Sequence, residues 1–160
     1  MSRIFLSSLG TSNYHFRSYV FEDGSRIDTR FMQVAIAQAK CRDWDAADKI
    51  VVFTTPDAEQ KNWMDGSNGL GLLSELKNLG LRPEISNVSI PVGKDTEEHR
   101  QLFQILIDHI ADSAEVILDI THGFRSLPVL FTSVIDYARV VKNIKLAGVY
   151  YAYTDTSPQQ

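Results

Sequence analysis

The chain has 160 residues and a formal net charge of −4, with 44% hydrophobic and 22% charged residues. This length suits one domain with a proper core, and the acidic balance argues against a protein that coats nucleic acid through bulk positive charge. The single cysteine, Cys41, excludes a disulfide framework and a cysteine zinc site. The apolar start is too short for a signal peptide and no window is long enough to span a bilayer, so we predict a soluble, cytoplasmic protein without membrane contact.

The first half of the chain alternates between strand and helix patterns. "RIFLSS" predicts a buried strand from Arg3, and "RSYVFE" followed by "DGS" predicts a small hairpin arm. "DTRFMQVAIAQAKC" predicts a helix with Asp28 and Thr29 as capping candidates. "KIVVFTT" predicts a second core strand, after which Pro56 and Asp57 predict a loop or a short helix.

The second half continues the alternation. "GLLSELKNLG" predicts a helix closed by Gly80, and "PEISNVSIPV" predicts a strand. "DTEEHRQLFQILIDHIADS" predicts the clearest helix, capped by Asp95 or Thr96. "EVILDI" predicts a strand, and "SLPVLFTSVIDYARVVKN" predicts a helix with Ser126 as its cap and Pro128 in its first turn. "IKLAGVYYAY" predicts the last strand.

This order of elements predicts an α/β fold, a Rossmann-like, mostly parallel open sheet with helices on both faces and a small hairpin arm. We expect residues 1–160 to form a single domain whose core strands start near residues 3, 49, 84, 115 and 144. With the common strand order 3-2-1-4-5, the strand order reverses between the first and fourth core strands. Ligands of such sheets bind beyond the carboxyl ends of the strands at that point.

Two polar strand exits fall beside the predicted crevice, "SSLGTSNY" after the first core strand and "THGFRS" after the fourth. Their residue types suit a phosphate ligand, because Gly10 and Gly123 let backbone amides approach closely and Arg125 can form a bidentate pair. The helix that begins near Ser126 adds unpaired N–H groups, and His122 can donate, accept or stack on a base. Further polar groups and candidate stacking surfaces are Ser7, Ser8, Thr11, Ser12, Asn13, Thr121, Tyr14 and Phe124.

Structural roles compete with this interpretation. The two glycines can simply form turns, and Ser126 fits a helix cap better than a nucleophile. Asp119 can hold a neighbouring loop through backbone N–H groups, and Arg30 can pair with Asp28 instead of a ligand. The sequence contains no G-x-G-x-x-G, Walker A, H-E-x-x-H or G-x-S-x-G pattern and no Cys/His cluster, so we expect no cofactor and no metal.

Four stretches, in order, resemble the sensor domains of CRISPR-associated Rossmann-fold (CARF) proteins. They are "RIFLSSLGTSNY", "YVFEDGSRIDTRFMQVAI", "ILDITHGFRSLPVL" and "LAGVYYAY". The specific signal is "DITHGFRSLP", which looks like the strand-end signature D-[IV]-T-H-[GS]-[FI]-R of one branch, and the other three stretches support it. The likeness covers nearly the whole chain.

The resemblance implies a two-fold dimer whose interface forms one pocket for a cyclic oligoadenylate, a second messenger made by type III CRISPR complexes. Binding in such proteins switches on an effector, often a ribonuclease, attached at the C-terminus. The resemblance leads us to expect an effector after the last strand; because residues 1–160 do not include one, we expect either a stand-alone sensor or a sensor separated from its effector. The resemblance implies three groups of ligand-binding residues in this chain. The first loop supplies Ser8, Leu9, Gly10, Thr11, Ser12 and Asn13, and the start of the first long helix supplies Thr29, Arg30 and Gln33. The exit of the fourth core strand supplies Thr121, His122, Gly123, Phe124 and Arg125.

We therefore predict a dimeric sensor of cyclic oligoadenylate, with cyclic tetra-adenylate favoured because its two-fold symmetry matches that of a dimer. One alternative is a metal-independent ring nuclease that slowly cleaves the bound ring, with Thr11, Ser12, His122 and Arg125 as candidates for orienting the 2′-hydroxyl and stabilising charge. Another is an unrelated α/β enzyme that uses a mononucleotide in a pocket within one chain. We expect no binding of duplex nucleic acid.

Overall fold

A five-stranded parallel sheet forms the centre of the computed structural model, which describes residues 2–67, 69–121 and 127–152. The strands of these residues are β1 (Arg3–Leu9), β2 (Arg17–Val20), β3 (Arg26–Thr29), β4 (Lys49–Thr54), β5 (Glu84–Ser89), β6 (Glu115–Asp119) and β7 (Lys145–Tyr150). The main sheet has the order β5-β4-β1-β6-β7, and β2 and β3 form an antiparallel hairpin. The predicted Rossmann-like fold, the hairpin arm and the strand order are confirmed.

Helices cover both faces of the sheet, as predicted. The helices of the described residues are α1 (Met32–Lys40), α2 (Pro56–Ala58), α3 (Leu72–Lys77), α4 (Thr96–Asp108) and α5 (Leu127–Val141), together with the π-helix Glu59–Trp63. Successive residues of β1 point to opposite faces, so Leu6 joins the core formed with α4 and α5, while Phe5 joins the core formed with α1 and α3. Both side chains are fully buried.

Helix termini follow the sequence signals in the second half of the chain. Asp95 is the N-cap of α4, and its side chain accepts a hydrogen bond from the Glu98 amide at 2.8 Å. Pro128 is the second residue of α5, where a missing N–H costs little. α3 ends three residues before the predicted Gly80, with Asn78 as its C-cap, and Gly80 completes the turn that follows with a φ of +68°, which glycine adopts without strain. The predicted cap Ser126 lies outside the described residues.

The predicted start of the first long helix is wrong by several residues. Asp28 and Thr29 are not its caps but the end of β3, where they pair with Ser18 and Arg17 of β2. Hairpin pairing keeps this segment extended, and α1 begins only at Met32 without a side-chain cap. Burial of residues 32–37 supplies the stabilisation that a cap would otherwise add.

The segment after β4 is a short helix that widens into a π-helix. Thr55 caps α2 by accepting a hydrogen bond from the Ala58 amide at 3.3 Å. The sequence predicted a loop or short helix here, and it gave no indication of the π-helix. The wider turn contains Asn62 and Trp63, both buried. Single π-helical turns of this kind are frequent at functional sites.

Candidate functional site

The carboxyl ends of β1 and β6 lie side by side at the point where the strand order reverses. The two strands pair in parallel, with Leu6 opposite Leu118, so Leu9 and Asp119 end at the same edge of the sheet. The chain therefore places the exits of its first and fourth core strands together, as predicted. This edge is where open α/β sheets bind ligands.

Asp119 fixes the exit of β6. Its side chain is fully buried, and its two carboxylate oxygens accept hydrogen bonds from Ser7 Oγ and the Thr121 amide, each at 2.9 Å. Thr121 Oγ1 in turn accepts from the Ala152 amide at 3.0 Å, so β1, β6 and the residues after β7 are tied together. Burial raises the pKa of Asp119 against the opposing effect of the hydrogen bonds from Thr121 and Ser7. The structural role considered for Asp119 is therefore confirmed.

The loop after β1 presents an exposed tip on a buried base. Ser8 and Leu9 are buried, Gly10 is partly exposed, and Thr11, Ser12 and Asn13 are exposed. Of the residues assigned to this loop by resemblance, the last three thus offer their side chains to a ligand. The side chains of the first two belong to the protein interior in this conformation.

Gln33 and Thr29, two further residues assigned to the ligand by resemblance, both have buried side chains. Gln33 of α1 is fully buried, and its Nε2 donates to the Ser8 carbonyl oxygen at 2.9 Å. Its Oε1 has no hydrogen-bond partner in the part of the chain that the structure describes. Thr29 is also buried, and its Oγ1 accepts from the Phe31 amide at 3.3 Å. Gln33 therefore supports the end of β1, whereas the Thr29 side chain bonds to the backbone of its own segment.

Arg30 joins two loops and does not pair with Asp28. Its Nε donates to the Tyr14 carbonyl oxygen at 3.2 Å, and its Nη1 donates to the Leu70 carbonyl oxygen at 3.0 Å. The guanidinium carbon lies 5.1 Å from the centre of the Phe31 ring, and Asp28 accepts a hydrogen bond from Ser18 instead. The cation is thereby held in place beside the exposed loop.

Tyr14 is integrated into the loop by a hydrogen bond and a ring contact. Its hydroxyl oxygen accepts a hydrogen bond from the Gly10 amide at 2.8 Å, and its ring centre lies 5.5 Å from that of Phe31. Burial raises the pKa of Tyr14 to about 12, so the hydroxyl stays protonated at neutral pH. The Tyr14 ring is half-buried and also lines a pocket beside the loop, so its candidate stacking role stays a prediction.

Asn62 of the π-helix is a residue that the sequence did not reveal. It is 4% exposed, and its Nδ2 donates to the carbonyl oxygens of Gly10 and Ser12 at 2.7 and 3.0 Å. These two bonds set the path of the exposed loop. The partners are about 50 residues away in sequence, so no local pattern could have predicted the contact.

We expect Asn62→Ala to loosen this loop without unfolding the domain. The change leaves two carbonyl oxygens without their donor, at a cost of about 1–3 kcal/mol. Amide hydrogen exchange at residues 10–14 should become faster, while exchange in β4 stays slow. Asn87→Ala is the matched control, because Asn87 also donates one side-chain hydrogen bond, to Thr54 Oγ1, but on β5. Equal acceleration in both variants would contradict the assignment.

Two adjacent pockets lie beside the loop and share Arg30 and Asn62. The first, of about 390 Å³, is lined by Asn13, Tyr14, His15, Phe16, Arg30 and Asn62. The second, of about 300 Å³, is lined by Arg30, Gln60, Lys61, Asn62, Met64, Gly66, Ser67, Gly69 and Leu70. Within residues 2–67, 69–121 and 127–152, no cluster of three or more His, Cys, Asp or Glu residues could hold a metal ion. No helix of these residues is long and apolar enough to cross a membrane.

The structure describes only part of the second predicted exit, the segment after β6. Thr121 is half-buried beside Asp119, and α5 begins at Leu127. The assigned ligand residues His122, Gly123, Phe124 and Arg125 lie outside the described residues and stay predictions.

Comparison with known proteins identifies a family. The family model for the CARF domain of the CRISPR system endoribonuclease Csx1 matches residues 4–155. A CRISPR-associated protein of Methanocaldococcus jannaschii is 43% identical over 58 residues, which are 36% of this chain and 9% of that protein. A mutant of phosphofructokinase-2 from Escherichia coli is similar in structure, with a TM-score of 0.42 and 15% identity over 95% of this chain and 55% of that one.

Proposed function

Because the chain belongs to the family of CARF domains of the CRISPR system endoribonuclease Csx1, we propose that it is a sensor domain that binds a cyclic oligoadenylate in a type III CRISPR system. The favoured ligand is cyclic tetra-adenylate, and the binding form is a homodimer. A two-fold dimer places two copies of the strand-exit loops around one ring, so that each copy meets an equivalent half of it. The sensor regulates an effector, and residues 1–160 form one cytoplasmic sensing domain.

The observation that carries this proposal is the meeting of the β1 and β6 exits at the reversal of strand order. One exit offers the exposed side chains of Thr11, Ser12 and Asn13. The other leads directly into the chain segment that contains His122 and Arg125, just before the N-terminus of α5. Hydroxyls, an amide, an imidazole, a guanidinium and unpaired helix N–H groups together suit a polyanionic ligand.

The net charge of −4 does not oppose this function. A ring of a few phosphates needs only a local concentration of donors, since the field within one cleft is set by its nearest charges. Arg30 and, in the proposal, Arg125 supply that concentration. The acidic remainder of the surface disfavours binding of duplex nucleic acid.

Calorimetric titration with cyclic tetra-adenylate tests the proposal. We expect saturation near one ring per two chains, and sedimentation of a dimer in the presence of the ring. Linear tetra-adenylate is the control. We expect it to bind more weakly, because the cyclic ligand is preorganised and the linear one must lose conformational entropy on binding. If folded protein binds neither cyclic tetra-adenylate nor cyclic hexa-adenylate, the proposal is overturned. A strict monomer that binds a mononucleotide would instead favour the unrelated enzyme.

A ring nuclease is the second candidate function, and the fixed loop favours it. Thr11 and Ser12 are exposed hydroxyls on a loop that Asn62 holds in place, and such positioning can align a ribose 2′-hydroxyl with the neighbouring phosphorus. The 2′-hydroxyl would lose its proton as its oxygen bonds to phosphorus, the bond between phosphorus and the 5′-oxygen would break, and the 5′-oxygen would take up that proton, directly or through water, and leave as a hydroxyl. Incubation with chelator present should then yield a linear oligoadenylate with a 2′,3′-cyclic phosphate. A ring that stays intact would exclude this activity.

A further inference from the structure

Phe16 is an exposed aromatic residue at the edge of the candidate site. Its side chain is 73% exposed, and it lines the pocket of about 390 Å³ together with Arg30 and Asn62. An apolar ring in water gains free energy when another flat apolar surface covers it. The neighbouring Tyr14 is half-buried and packs on Phe31, whereas the ring of Phe16 is exposed and accessible for stacking.

The other residues of the pocket match the parts of a nucleotide. Asn13 and His15 are exposed side chains that can donate and accept hydrogen bonds, as the edge of a purine does. Arg30 is a fixed cation suited to a phosphate. The volume lies within the range of about 300–1,000 Å³ that is usual for small-molecule sites.

Two polar side chains of this pocket are held in place by hydrogen bonds. Arg30 is anchored to the carbonyl oxygens of Tyr14 and Leu70, and Asn62 is anchored to those of Gly10 and Ser12. The polar side chains of Arg30 and Asn62 are therefore in place before a ligand binds, and the ligand would cover the exposed ring of Phe16. Preformed sites lose less entropy on binding than sites that must be ordered.

We propose that Phe16 is a base-stacking residue and that this pocket takes a purine nucleobase of the bound ligand, with Arg30 directed to its phosphate. The inference rests on the proposed function, because it assigns one base of the cyclic oligoadenylate to each chain of the dimer. Neither Phe16 nor His15 was identified as a ligand-binding residue by the sequence.

Substitutions at Phe16 test this subsite by affinity and by fluorescence. We expect Phe16→Ala to weaken binding of cyclic tetra-adenylate by about 10-fold or more, the usual effect of removing a stacking ring. Phe16→Trp should keep the affinity, and stacking of an adenine base should quench the fluorescence of its indole when cyclic tetra-adenylate binds. The two natural tryptophans, Trp44 and Trp63, are 3% and 4% exposed and contribute a background shielded from solvent. Val20→Ala is the control, because Val20 is an apolar residue of β2 with 62% exposure.

Each outcome decides the inference separately from the proposed function. Wild-type affinity in Phe16→Ala would overturn the stacking role while leaving the sensor proposal intact. Conversion of the dimer to a monomer by Phe16→Ala would show that a second copy of the chain covers this ring, which also overturns stacking. If the wild-type protein binds no ring, the proposed function fails, and adenosine 5′-monophosphate becomes the probe of Phe16→Trp. Quenching would then support the purine subsite, and its absence would overturn it.

Discussion

Replacing Arg125 by alanine is expected to weaken cyclic tetra-adenylate binding by about 100-fold or more at constant ionic strength, because hydrogen bonds to charged groups contribute about 1.5–3 kcal/mol each. A guanidinium can form two such bonds to one phosphate, and a dimer would lose them in both copies. Arg125 stands two residues before Leu127, where α5 begins. The N–H groups of the first turn of α5 have no partner within the helix itself and would act on the same anion. Calorimetry at one fixed salt concentration measures the loss.

Arg139→Ala is the matched control for this prediction. Arg139 is an exposed arginine in the last turn of the same helix, so its removal changes the net charge equally but at the opposite end of α5. We expect that variant to bind like the wild type, and both variants to unfold at the same temperature as the wild type. Equal losses of affinity would show that bulk charge, and not a specific phosphate contact, drives binding.

The fold was predictable because local hydrophobic patterns and capping residues indicate its strands and helices. The run from Ile4 to Leu6 is apolar on both faces, which indicates a central strand covered on two sides, and β1 is that strand. Turn residues and caps such as Asp95 mark the boundaries of elements that pack as expected. Asp28 and Thr29 misled because capping residues are also compatible with a hairpin, and pairing with β2 determines their conformation.

The candidate site was predictable in its place but not in its contacts. The strand order and the polar exits located it, since both follow from the alternation of elements. The bonds that shape it join distant residues, such as Arg30 to Leu70 over 40 positions and Asn62 to Gly10 over 52. A buried asparagine in "EQKNW" resembles any helical polar residue until the π-helix places it beside the loop. Tertiary contacts of this kind leave no pattern in one sequence.

Asp119→Ala is expected to lower the free energy of unfolding by about 2–4 kcal/mol, because the Ser7 hydroxyl and the Thr121 amide lose their buried acceptor. Asp119→Asn is the control that keeps the shape and retains an acceptor oxygen. Chemical denaturation of both variants and the wild type at neutral pH measures the difference. Similar stabilities for Asp119→Ala and the wild type would show that water replaces the carboxylate at no cost.

We expect the difference in stability between the wild type and Asp119→Asn to depend on pH. Burial raises the pKa of Asp119 above its ordinary value of 3.8, so the folded protein binds the proton more tightly than the unfolded chain does. Below 3.8 both states are protonated and this contribution to stability is fully present. As the pH rises through the folded pKa the contribution is lost, so the stability of the wild type should fall relative to that of Asp119→Asn. A difference that does not change with pH would contradict a buried, proton-binding carboxyl group.

Binding should respond to Asp119 through geometry. Thr121 is held by Asp119, and the next residues in the chain are the proposed ligand residues His122 to Arg125. We therefore expect Asp119→Ala to weaken ring binding even at temperatures where the variant stays folded, whereas Asp119→Asn binds nearly as well as the wild type. Unchanged affinity in folded Asp119→Ala would show that the β6 exit keeps its shape without the carboxylate. Because Asp119 is fully buried, a loss of affinity in Asp119→Ala would reflect a changed shape of the β6 exit and not the loss of a direct contact with the ligand.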